Sequence, residues 1–173
     1  MIIDGKKEAE VLREEIKKEI ISIKNKTNKS PALTVILVGD FAPSQIYVKN
    51  KEKISKEVGI NSNVIKYPKD VSEEEILKKI KELNNDKNVS GILVQLPLPD
   101  QISKEKVINL IDPLKDVDGF SPINAGNLAS GYNAIVPCTP LGCLLLLKKV
   151  EKNLSGKHAV IIGRSNLNGK PLA

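Results

Sequence analysis

Leu33-Thr-Val-Ile-Leu-Val-Gly39 is a nearly continuous apolar run closed by glycine. A strand with one wet face alternates apolar and polar residues, whereas an unbroken run of this length reads as a strand buried on both faces, the usual position in a parallel sheet. Upstream, Asp4 to Lys26 places Ala9, Leu12, Ile16, Ile20 and Ile23 at steps of three and four, which predicts one long amphipathic helix. Downstream, Ser44 to Glu57 returns to helical spacing and Gly59 ends it. Asn63 to Tyr67 reads as a second strand. Ser72-Glu-Glu-Glu75 is a capping box opening a helix through Leu83, and Gly91-Ile-Leu-Val-Gln95 is a third strand stopped by Pro97 and Pro99. Helix and strand in alternation predict an α/β fold: a three-layer amino-terminal domain with a mostly parallel sheet covered on both faces. Ligands of such sheets gather at the carboxyl ends of the strands, here Gly39, Pro68 and Gln95-Leu-Pro.

Past the third strand, Ser103 to Ile111 predicts a short helix and Asp112 to Pro140 an irregular stretch rich in Gly, Pro, Asn and Asp. Leu141 to Lys152 predicts a helix leading to a final buried strand, Ala159-Val-Ile-Ile162, which delivers Gly163 and a polar loop. A domain junction is placed within 120 to 141, with 1–140 as the first domain and 141–173 as the start of a second. A strand feeding glycine and a loop is how α/β proteins bring backbone N–H groups to a phosphate. Five residues, Arg164 to Asn168, separate Gly163 from Gly169-Lys170, and Pro171 has no hydroxyl, so the spacing disfavours a P-loop. The usual dinucleotide fingerprint fails as well, because Ser165 stands at its second glycine. On spacing alone a plain strand-to-helix turn fits equally well. Arg164 favours an anion, since the chain holds 25 lysines but only two arginines, and a guanidinium suits bidentate phosphate recognition.

Composition narrows the classes. A chain of 173 residues, 40% hydrophobic, buries one good core or one core and part of a second. The longest apolar run, Cys143 to Leu147, is far too short to span a bilayer, and the amino terminus lacks a signal-peptide pattern, so a cytoplasmic protein without a membrane partner is expected. Cys138 and Cys143 are not in metal or redox spacing. His158, the only histidine, builds neither a zinc site nor a Ser-His-Asp triad, and no metal is expected. The net charge of +6 arises from lysines interleaved with glutamates on helical stretches such as Glu14 to Glu19. With aromatics at only 3% there is no base-stacking platform, and nucleic acid is not an expected partner.

Several residues stand out at the carboxyl edge. Tyr47 and Lys51 lie one turn apart on a helix that begins just after the strand ending at Gly39. A phenol beside an amine makes a proton-transfer pair if the amine is neutral when it acts; on spacing alone Lys51 reads more readily as one more exposed lysine of Lys49 to Lys53. Gln95, between Val94 and Leu96 at the end of a buried strand, must find polar partners, either in a cleft or as a strand cap. Asp116 and Asp118 are two carboxylates in an irregular segment with no third hard ligand in calcium-loop spacing, so one of them gripping an N–H-rich ring explains them as well as a metal does.

Six motifs occur in order: Ser44-x-x-Tyr47-x-x-x-Lys51, Gly91-Ile-Leu-Val-Gln-Leu-Pro97, Pro113-x-Lys-Asp-Val-Asp-Gly119, Asn124-Ala-Gly, Pro137-Cys-Thr-Pro-x-Gly142 and Gly163-Arg-Ser-x-x-x-Gly-x-Pro171. Together, across essentially the whole chain, they resemble the bifunctional methylenetetrahydrofolate dehydrogenase/cyclohydrolase family. The resemblance implies a two-domain α/β enzyme, usually a homodimer, whose second domain is a Rossmann-like NADP-binding unit. Its activities are NADP-dependent oxidation of 5,10-methylenetetrahydrofolate to the methenyl form and hydrolysis of that form to 10-formyltetrahydrofolate. It further implies Lys51 as the central catalytic lysine, Gln95 as the residue that orients it, Tyr47 against the folate near the reacting carbon, and Asp118 on the pterin ring. The folate contacts it implies are Tyr47, Lys51, Val94, Gln95, Leu96 and Asp118. Gly163, Arg164 and Ser165 match its cofactor loop, with NADP favoured and NAD the alternative.

Three departures bear on that transfer. Asp40-Phe-Ala-Pro-Ser44 replaces the family's Asp-Pro-Ala-Ser order, and Asn168 replaces a valine of the cofactor loop. The 173 residues also stop inside the expected dinucleotide domain. Two readings follow: the amino-terminal part of such an enzyme, or a truncated, non-catalytic remnant that at most binds folate or dimerises.

Overall fold

The structure, a computed structural model, describes residues 2–173. The chain divides into two compact units, Arg13–Val117 and the stretch from its amino end to Leu12 together with Asp118–Ala173. Helix α1, Gly5–Thr27, runs through that boundary. Its apolar positions are helical as the spacing predicts, but only Ile20 is fully buried, against Gly59.

The Arg13–Val117 unit holds β1 (Ala32–Val38), α2 (Ala42–Val58), β2 (Asn61–Tyr67), α3 (Glu73–Asn85), β3 (Gly91–Val94) and α4 (Lys104–Leu110). The strands form a parallel sheet in the order β2-β1-β3, with Val35 aligned to Val64 on one side and to Leu93 on the other. The central strand, β1, is the apolar run beginning at Leu33. Its side chains divide by parity, as the pleat requires. Ile36 and Val38 join Ile92 and Val94 in a core completed by Ile76 and Ile80 of α3 and Val107 of α4. Val35 and Leu37 join Leu93 and Val48 of α2 in a second core on the opposite face. Helices therefore cover both faces, and the three-layer α/β arrangement is the one expected. Ser72 caps α3 by accepting from the Glu75 N–H, and Gly59 closes α2 at a φ of 93°.

The other unit holds α5 (Pro122–Ala129), α6 (Cys138–Val150) and a last turn, α7 (Gly169–Leu172). An ion pair ties Lys149 of α6 to Glu8 at 2.9 Å. Two expectations need correction here. The irregular stretch 112–140 contains α5, started by Ser121 accepting from the Asn124 N–H with Pro122 in the first turn, and α6 begins at Cys138 rather than Leu141. The predicted strand Ala159–Ile162 is not a strand: Val160 is 76% exposed and Ile162 fully so. An extended segment becomes a strand only when a neighbour accepts its backbone hydrogen bonds, and among the described residues of this unit there is no strand. Among the described residues no helix is long and apolar enough to cross a membrane.

Candidate active site

The site is built where β1 and β3 end side by side. Gly39 follows β1 with a φ of 75°, and its N–H donates to the Tyr67 carbonyl at 2.9 Å. Gln95 follows β3, its N–H donating to the Ile36 carbonyl at 2.9 Å, so its side chain emerges at the carboxyl edge with a fixed backbone. Helix α2 starts over the same edge, with Phe41 at its N-cap and Pro43 in its first turn. Helical spacing sets Ser44, Val48, Lys51 and Ser55 along one stripe; Ser44, Val48 and Ser55 are buried and Lys51 half-buried, so this stripe faces the sheet.

Two hydrogen bonds join the stripe to the end of β3, and a third within that end links them. Lys51 Nζ donates to Gln95 Oε1 at 3.1 Å, Gln95 Nε2 donates to the Leu96 carbonyl at 2.8 Å, and Ser44 Oγ donates to that same carbonyl at 3.4 Å. The arrangement requires an amide. One end of residue 95 must donate to a carbonyl while the other accepts from an ammonium, and only glutamine does both at this side-chain length. Lys51 is therefore held over the edge by a neutral acceptor rather than a carboxylate, and it keeps further N–H directions for another partner. Tyr47 stands one turn away, 62% exposed, its ring free for a flat ligand to lie against.

The structure thus brings Lys51, Gln95 and Leu96 together and sets Tyr47 beside them. The Val94 side chain lies in the α3-side core, so what Val94 presents at the edge is backbone. Ser44, quoted in the sequence motif but not singled out, is a buried member of the network. Two cavities of the unit lie elsewhere: about 450 Å³ between α2 and β2, beside Ile46 and Lys66, and about 670 Å³ at the amino end of the sheet, beside Lys24 and Asn88. Neither is lined by Lys51 or Gln95. Burial pushes the Tyr67 phenol above its ordinary pKa, so it stays a neutral hydroxyl at the end of β2.

The remaining sequence candidates belong to the other unit. Asp118 is half-buried and precedes Gly119, whose φ is 66°. A Cβ on Gly119 would fall under 3.0 Å from the Ile135 carbonyl oxygen, so the turn after Asp118 admits only glycine. Asn124 Oδ1 accepts from the Ile135 N–H at 3.2 Å and holds the covering segment in place. In the last loop Gly163, Arg164 and Ser165 are exposed. The loop closes on itself: Ser165 accepts from the N–H groups of Asn168, by Oγ at 3.1 Å, and Lys170, by its carbonyl at 3.0 Å. The Gly163 carbonyl packs so closely on Gly169 that no Cβ fits at 169, while Gly163 itself sits at a φ of 135° that favours glycine. Among the described residues no group of three or more His, Cys, Asp or Glu is placed to hold a metal ion.

Comparison with known proteins also finds two parts. The family described as tetrahydrofolate dehydrogenase/cyclohydrolase, catalytic domain, matches residues 3–118, and the corresponding NAD(P)-binding domain matches residues 137–173. The bifunctional protein FolD of Pelagibacter ubique is 63% identical over 173 residues, which cover 100% of this chain and 62% of that relative. Among solved structures, the FolD methylenetetrahydrofolate dehydrogenase/cyclohydrolase of Campylobacter jejuni aligns with a TM-score of 0.96 at 47% identity, across 100% of this chain and 61% of that one. The Trypanosoma brucei dehydrogenase-cyclohydrolase, solved with NADP cofactor and an inhibitor, aligns at 0.94 and 32% identity, across 100% of this chain and 59% of that one. The chain thus spans less than two thirds of the length of each of these relatives.

Proposed function

The chain belongs to the tetrahydrofolate dehydrogenase/cyclohydrolase family, and on that premise we propose that it serves one-carbon folate metabolism, with the Lys51–Gln95 edge as the folate half of an active site. The protein of family length would oxidise 5,10-methylenetetrahydrofolate with NADP and hydrolyse the methenyl product to 10-formyltetrahydrofolate. Residues 1–140 would form the folate-binding catalytic domain and 141–173 the linking helix and first loop of the NADP-binding domain. Two domains are supported by family matches that stop at 118 and resume at 137, which favours a junction somewhat before 140. A homodimer in the cytoplasm completes the reading.

The observation that carries it is the amine held at 3.1 Å from a neutral amide at the carboxyl edge of the sheet. Hydrolysis of a cationic methenyl group begins when a water oxygen bonds to the methenyl carbon and gives up a proton. Lys51, acting as the free amine, takes that proton and leaves a carbinolamine; its hydroxyl then gives up the second proton as the C=O forms and the carbon–N5 bond breaks, N5 takes up one proton, the formyl group stays on N10, and one proton is released overall. Gln95 keeps the amine in place through its carbonyl end, and Tyr47 offers a ring against the folate near the reacting carbon. Asp118 would accept hydrogen bonds from the pterin, and the backbone of Val94 and Leu96 would complete the edge. Hydride transfer asks less of side chains, because two flat molecules held face to face need mainly positioning. NADP, when bound, supplies the nicotinamide that receives the hydride. The loop at 163–169 fits it, with a glycine-closed turn and the exposed guanidinium of Arg164 and hydroxyl of Ser165 available to a phosphate.

The test is Lys51→Met in the polypeptide of family length. Cyclohydrolase turnover should fall to background while tetrahydrofolate still binds. A variant that hydrolyses methenyl-tetrahydrofolate at the normal rate removes Lys51 from this role.

A further inference from the structure

Helix α3 ends without a basic residue in its last turn, so its own sequence supplies no cation to the negative end of the helix dipole. The structure supplies one from outside. Lys115 Nζ donates to the carbonyls of Leu83, Asn84 and Asp86 at 2.9, 2.8 and 2.8 Å, satisfying three acceptors at the close of α3 with one ammonium. The same helix end holds the segment a second time. Asn84 donates by Nδ2 to the Leu110 carbonyl at 2.7 Å and accepts by Oδ1 from the Asp112 N–H at 3.0 Å.

What this anchors is the short run that leads into Asp118. With its side chain tied to α3, Lys115 turns its carbonyl toward β3, where the Ile92 N–H donates to it at 2.8 Å, and Asp116 forms a parallel bridge with Ile92. Val117 then lies over Gly91 so tightly that a Cβ there would fall under 3.0 Å from Val117 Cγ1. Residues 115–117 are thereby fixed along the free side of β3, and Asp118 is the next residue.

We infer that Lys115 is a positioning residue: a latch between the end of α3 and the side of β3 that sets where the chain delivers Asp118. The inference rests on the reading of Asp118 as a pterin contact, and it predicts that folate affinity is controlled by a lysine that touches no folate. Two measurements on the polypeptide of family length separate the latch from that reading. In Lys115→Met, amide exchange at Ile92 and Val117 should speed up tenfold or more while that of β1 is unchanged, and the Kd for tetrahydrofolate should rise tenfold or more. Lys115→Gln, which keeps two donors but no charge, should lie between the wild type and Lys115→Met in both readouts; it also serves as the test protein if the methionine variant does not fold. Unchanged exchange at Ile92 and Val117 overturns the latch. Faster exchange with an unchanged Kd overturns its link to folate, whereas a wild-type chain that fails to bind tetrahydrofolate counts against the folate reading and leaves the exchange result to judge the latch.

Discussion

The Lys51–Gln95 contact is measurable as a coupling free energy. The perturbations are Lys51→Met, which keeps most of the stem and removes the ammonium, Gln95→Leu, which removes both amide bonds, and the double variant. A hydrogen bond to a charged group contributes roughly 1.5–3 kcal/mol when well shielded, and here both side chains are half-buried, so a coupling of about 1 kcal/mol is expected. Gln95→Leu alone should cost more than Lys51→Met alone, because it also deprives the Leu96 carbonyl of its 2.8 Å donor and leaves it only Ser44 at 3.4 Å. The lysine variant leaves Gln95 Oε1 reachable by water, which limits its loss. Urea unfolding of the four proteins, followed by circular dichroism and compared at equal m-values, gives the coupling directly. A value within about 0.3 kcal/mol of zero, the ordinary scatter for independent sites, would refute the claim that glutamine fixes the amine.

Two further outcomes follow from the same unit. Gly91→Ala should destabilise by about 1–3 kcal/mol in urea unfolding, because the added methyl overlaps Val117 and either the side chain or the segment after Lys115 must move; an unchanged midpoint would show that the segment yields freely. Glu73, which accepts from Lys106 Nζ at 2.6 Å and from the Ser103 N–H at 2.7 Å, has its carboxyl held below the usual range, chiefly by the Lys106 bond. A depressed folded-state pKa contributes stability above the unfolded carboxyl pKa and loses it as pH falls through the folded value. Glu73→Gln should therefore be less stable than wild type near neutrality and draw level in acid, as read by Tm against pH; a constant difference across that range would contradict the assignment.

What the sequence made legible follows from where the information lies. Leu33 to Gly39 reads as a doubly buried strand because burial on both faces erases alternation, and the structure sends Ile36 and Leu37 to opposite cores. Ser72 reads as a cap because capping is local, completed three residues later at the Glu75 N–H. Helix α5 is not legible because eight residues including Gly126 carry too little period. Ala159 to Ile162 shows the converse: apolar β-branched residues permit a strand, but a neighbour's ladder makes one.

The site residues show the same limit more sharply. Lys51 is one of 25 lysines, and what distinguishes it is an acceptor 44 residues away on another element, which no spacing rule relates to it. Lys115 is harder still, since its partners are backbone carbonyls, which leave no mark in side-chain pattern. Yet half of its signal is in the sequence: α3 opens on three glutamates and closes on Asn84-Asn85-Asp86 without a cation. A helix end with no basic residue of its own must find donors in water, at a cap or in another part of the chain. Here the donor comes from a lysine that also begins the segment leading to Asp118, so one side chain completes the helix and sets the position of the residue beyond it.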